Sequence, residues 1–134
     1  MTKPLLRISV LLAMSSVATA SHAGYKSDLI EVGINAADGV FWGQLGRARS
    51  GPNGEAIWCS VLYYTTGSPL VQCGAQDTAT PMPNYTMCMS SLAAHADVLK
   101  TMTNHSFLQV SYDGSGNCTS IRVENGSQYP PMVP

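Results

Sequence analysis

The chain has 134 residues, is 45% hydrophobic and only 11% charged, and carries 7 Lys+Arg against 8 Asp+Glu for a formal net charge of −1. That length holds one domain and excludes a large enzyme with a separate cofactor domain. Balanced charge offers no basic patch to neutralise phosphates, so no nucleic-acid partner is expected. So few charges also point to a surface that is partly covered.

Lys3 and Arg7 precede an apolar run over 8–18, which has the length of a signal h-region and is too short to span a bilayer. Small residues at Ala18 and Ala20, and again at Ser21 and Ala23, mark two cleavage sites. The expected organisation is a signal peptide over 1–23, with cleavage after Ala20 as the alternative, and a single β-rich domain over 24–134. No second apolar run reaches spanning length, so the mature chain is expected to be periplasmic or extracellular, with no membrane span. All four cysteines, Cys59, Cys73, Cys88 and Cys118, fall in the exported part. An even count in a small exported domain predicts two disulfides. Their spacing contains no C-x-x-C, and His95 and His105 read as ordinary surface residues, so no metal and no cofactor is expected.

In chain order, a short strand is expected over 29–34, and then a longer one over 39–49 whose glycines permit bending. Turn residues at 50–54 lead into a strong strand over 56–64, rich in aromatic and β-branched side chains. A second turn over 65–69 sends the chain back along 70–76. A tight turn about Thr66 sets Cys59 opposite Cys73, within reach of a disulfide, and leaves Cys88 for Cys118. The rival connectivity, Cys73 with Cys88 and Cys59 with Cys118, stays open. Residues 77–85, with Pro81 and Pro83, read as a loop. Ser90 or Ser91 caps an expected helix over 92–102, whose Leu92, Ala96, Leu99 and Met102 follow one face. The last two strands, 105–112 and 118–124, alternate cleanly around a turn at 113–116. A tight hairpin there sets Leu108 against Ile121 and Val110 against Thr119. The tail over 129–134 is expected to be extended.

The order is β-β-β-α-β-β. A three-strand meander, one helix and a closing hairpin is the element order of the OB-fold, so the expected class is mainly β with one helix, an OB-like five-stranded antiparallel barrel with two disulfides. Closure would remove exposed sheet edges. An open antiparallel sheet with the helix across one face is the alternative.

Two resemblances add to this reading. Gly43, Gly46, Ala48 and Arg49, a strand ending at Cys59, then Cys73, Ala75 and Asp77, a helix led by Cys88, and finally Gly116, Cys118, Thr119, Ile121 and Val123 form one pattern. It resembles a group of small exported bacterial proteins and implies no assigned activity. The stretches Trp58-Cys59-Ser60 and Gly67 to Ala75 are similar to the receptor-binding B subunits of AB-type toxins, in the subtilase-cytotoxin and typhoid-toxin style. That resemblance implies Cys59–Cys73 pairing and an OB barrel that assembles as a ring. Cys118 departs from it by opening the last strand, and no sugar-contacting position carries over.

Catalysis finds little support in the residues. Ser91, His95 and Asp97 lack a nucleophile elbow, and His95 and Asp97, two apart on a helix, do not share a face. The acids are scattered, and the glycines at Gly51 and Gly54 lack the lysine of a phosphate loop. Binding is better supported, because the first two long strands concentrate aromatic rings. If Phe41 stands opposite Tyr64, then Trp58, Leu62 and Tyr64 share a face with Phe41, Leu45 and Arg47, while Trp42 and Tyr63 join Ile57, Cys59 and Val61 on the other. Both faces are apolar, and a small barrel has one core. The rings therefore serve either as core or as a contact surface formed by Phe41, Leu45, Arg47, Trp58, Leu62 and Tyr64, with Arg47 at its rim. The expected function is an exported non-catalytic binding subunit, a homo-oligomer recognising a glycan or a protein. The alternatives are a self-assembling fibre or envelope protein, or a small secreted enzyme inhibitor.

Overall fold

The computed structural model describes residues 31–50, 54–78 and 82–126. The leader expected over 1–23, the turn residues 51–53, Pro81 and the tail over 129–134 lie outside the described residues. Among the described residues the elements run β1 (Gly33–Asn35), β2 (Val40–Gln44), α1 (Leu45–Ser50), β3 (Ala56–Tyr63), β4 (Pro69–Gln76), β5 (Tyr85–Ser90), α2 (Ala93–Leu99), β6 (Phe107–Tyr112) and β7 (Cys118–Glu124). The strands form two antiparallel sheets, one ordered β1-β2-β6-β7 and the other β3-β4-β5. The class is mainly β, as expected, but the described residues hold two helices. Among them the sheets are not closed, and they do not form the five-stranded barrel.

The departure begins at Leu45. The strand expected over 39–49 stops at Gln44, and Leu45–Ser50 winds into α1. Leu45, Arg47 and Ala48 are good helix formers with no β-branched residue among them, so nothing local holds that stretch extended. β2 then pairs with β1 and with β6, and none of it pairs with β3. A barrel needs β2 beside β3, so closure is lost at this point. β2 starts cleanly because Asn35 accepts from the backbone N–H of Ala37 and Asp38, and Gly39 turns at φ +60 against the Tyr112 carbonyl.

The β3–β4 hairpin has the expected register. Cys59 stands opposite Cys73, and the Gly67 N–H closes the turn onto the Tyr64 carbonyl at 3.0 Å with Gly67 at φ +96. Cys59 and Cys73 are joined by a disulfide, and Cys88 and Cys118 by the other. Residues 85–90, of which the sequence places Tyr85 in a loop and Ser90 at a helix cap, form β5, which pairs with β4 along its whole length. Asp77 and Asn84 clamp the connection: the Asn84 backbone N–H and side-chain amide both donate to the Asp77 carboxylate.

α2 is shorter than expected. Leu92 sits at its N-cap in an extended conformation, which takes its side chain out of the helical stripe and leaves it exposed, while Ala96 and Leu99 are buried. The β6–β7 register differs from expectation by two residues: Leu108 opposes Val123 and Val110 opposes Ile121, with an irregularity at Ser111/Tyr112. The Asp113 carboxylate draws in the N–H groups of Ser115 and Asn117, which makes the turn wider than a tight hairpin. A shift of two preserves the side-chain period, so the same residues still point inward.

A single core cluster takes Phe41, Leu108 and Val110 from the first sheet, Ile57, Val71, Cys73 and Ala75 from the second, and Ala96 and Leu99 from α2. The Cys88–Cys118 bond ties β5 of one sheet to β7 of the other. Beside it, the Met89 N–H donates to the Gly116 carbonyl at 2.9 Å. Among the described residues no helix is long and apolar enough to cross a membrane. That and the two disulfides are compatible with an exported protein.

Candidate functional site

Strand alternation divides the three-stranded sheet into two faces. Ile57, Val71, Cys73, Ala75 and Cys88 point into the core. The opposite face carries side chains set in rows by the register: Trp58, Gly74 and Met87 in one, Ser60, Gln72 and Met89 in the next, with Leu62 beside Leu70 and Gln76 beside Tyr85. Gly74 is what lets Trp58 lie flat across the sheet, because a Cβ there would meet two indole carbons at 2.9 and 3.0 Å. Leu62 is 53% exposed, Tyr85 61%, Met87 38% and Met89 45%, so this face is an open apolar ledge. One of its polar members is engaged on the ledge itself: the Gln72 amide donates to the Met87 sulfur at 2.8 Å. Tyr63 and Tyr64 stand exposed where β3 runs into its turn.

The six residues expected to form one surface do not come together. Phe41 is fully buried, because β2 pairs with β6 and sets it opposite Val110 with its ring 5.9 Å from that of Tyr112. Leu45 opens α1 and packs against the core, and Arg47 is half-buried on α1, paired with Glu31 at 3.6 Å. Trp58 and Leu62 do share the ledge, and exposed Tyr64 lies just past the end of their strand. Tyr85, Met87 and Met89 are the members missed in the sequence. Their alternation with Thr86, Cys88 and Ser90 was a usable period-two signal, masked because Met87, Cys88 and Met89 have no strong strand preference.

A cleft of about 450 Å³ lies along β3, the edge strand, between it, α1 and residues 102–104. Leu45, Ala48, Ile57 and Met102 supply apolar walls, Trp58 an aromatic one, and Thr103 and Asn104 polar groups. Glu55, only 7% exposed, is also in the lining, and its Oε2 has no hydrogen-bond partner. Trp58 therefore belongs to both the cleft and the ledge.

Ser90 and His95 are in contact, with Oγ 2.9 Å from Nδ1. The same Oγ accepts the Leu92 backbone N–H at 3.1 Å, and Ser90 is buried, so the pair fastens the start of α2 onto β5. Among the described residues no carboxylate is hydrogen-bonded to His95 to orient it as a base. Comparison of the chain with protein-family models, with curated proteins and with solved structures finds no match.

Proposed function

We propose that this chain is an exported, non-catalytic binding subunit that docks protein surfaces through the outer face of its three-stranded sheet, its own copies first, to form a homo-oligomer. The observation that carries the reading is the ledge: four large apolar side chains, Leu62, Tyr85, Met87 and Met89, exposed together on one sheet face. Apolar area of this kind is what protein interfaces bury at their centre, and methionine adapts its shape to a partner. Sugar recognition asks for several hydrogen-bonding side chains around an aromatic ring, and here the Gln72 amide is engaged with Met87. The resemblance to ring-forming receptor-binding subunits and the leader expected over 1–23 point the same way.

Sedimentation velocity across a range of concentrations tests it. The wild-type protein should self-associate, and Met87→Asp, whose side chain lies outside the core, should return it to monomer with its unfolding transition intact. A wild-type protein that stays monomeric at every concentration overturns the reading. Hits on a glycan array that disappear in Trp58→Ala would replace it with sugar recognition.

A further inference from the structure

The cleft beside β3 contains a group that the ledge does not use. Glu55 sits at the mouth of β3, where its predecessor Gly54 adopts φ +76 and the Gln76 side-chain amide donates to the Gly54 carbonyl at 3.1 Å. That anchor holds the backbone beside Glu55, whose residue lines the cleft wall. Almost wholly buried, the carboxyl has an oxygen with no donor. An ionised carboxylate is costly to bury unless a partner completes it. Among the described residues the lining holds no Lys or Arg, and Arg47 on α1 is paired with Glu31.

The remaining walls narrow the kind of partner that fits. Leu45, Ala48, Ile57 and Met102 suit a short hydrocarbon stem, and Trp58, which also borders the cleft, carries an indole ring of the kind to which a cation is drawn. Asn104, exposed at the rim, has an amide oxygen that can accept from an N–H donor. The volume falls in the range of small-molecule sites. An anion would face Glu55 without compensation, and a neutral polyol would leave the apolar walls poorly matched. We infer that this cleft binds a small organic cation, an alkylammonium or alkylguanidinium group, with the Glu55 carboxylate as counter-charge and Trp58 against the stem.

The test compares n-butylammonium with n-butanol, which has the same stem and no charge, by titration into the purified, oxidised protein while the indole N–H resonance of Trp58 is followed. The ammonium should bind about tenfold or more tightly than the alcohol, the worth of one charge-assisted hydrogen bond. Glu55→Gln, nearly isosteric, should reduce that ratio to about one with the fold unchanged. Equal binding of the two probes, no shift at Trp58, or a preference that survives Glu55→Gln would each overturn the assignment. Should Glu55→Gln fail to fold, the comparison of the two probes on the wild-type protein decides the matter alone. Because both probes are titrated into the same protein at one concentration, association through the ledge, to which Trp58 also belongs, affects both titrations alike and leaves their ratio to report on the cleft.

Discussion

Gly74 is the residue on which the ledge depends. Its missing side chain gives the Trp58 ring a place to lie, and a Cβ there would also stand 3.1 Å from the Thr86 carbonyl oxygen, a backbone atom that cannot step aside. Gly74→Ala should therefore cost about 1–3 kcal/mol, the usual range for overpacking, and shift the Trp58 emission. Gly114→Ala is the matched control: nothing stands within 4 Å of its Cβ position, and the change should stay within about 0.5 kcal/mol in urea titration. At the β6–β7 turn, Asp113 is held below the ordinary carboxyl range, first by the Asn117 side-chain amide, then by the backbone N–H groups of Asn117 and Ser115. A depressed folded-state value means that the carboxylate supports the turn at pH values above the ordinary range. That support fades as pH falls through the depressed value. An NMR titration should place the Asp113 midpoint below that of an unstructured aspartate, with the Ser115 and Asn117 amides moving alongside it.

Among the elements, the two disulfides do different work. Cys59–Cys73 joins directly opposed positions of a hairpin whose backbone is already paired, with 14 residues of sequence separation. Cys88–Cys118 spans 30 residues and ties together strands of separate sheets. Both the longer closed loop and the inter-sheet position make the second bond the greater contributor. Replacing Cys88 and Cys118 with alanine should cost about 2–5 kcal/mol in urea denaturation, and the same change at Cys59 and Cys73 should cost less. An equal or reversed order would mean that the β5–β7 corner holds without its covalent tie. β5 depends on that corner too. Met and Cys have no strong strand preference, and its extended form comes from pairing with β4 and from the buried Cys88.

At the scale of the molecule, the two open sheets of the described residues and α2 close around one core, and the inner face of the three-stranded sheet is used up by it. The outer face of that sheet is left with no described element lying over it, which is why the apolar ledge exists. The edge strand β3 serves two sites: its outward side chains build the ledge, and its unpaired border forms one bank of the cleft. A closed barrel would have paired that border and removed the cleft. The openness of the fold and the candidate functions are thus linked.

The amino-acid sequence by itself determined what depends on local pattern. The alternation of 56–63 and the turn at 64–67 specify the β3–β4 hairpin and set Cys59 opposite Cys73, since side-chain period and turn length together leave one register. The buried stripe of Ala96 and Leu99 was legible for the same reason. Tertiary structure decided the rest. Whether Leu45–Ser50 continues a strand or winds into a helix, and whether Tyr85–Ser90 is loop or strand, depended on which neighbours were available to pair, a non-local matter on which weak propensities are silent. That choice sent Phe41 into the core and left Trp58 and Leu62 outside, because a residue's face is set by the strand beside it as well as by its own place in the alternation.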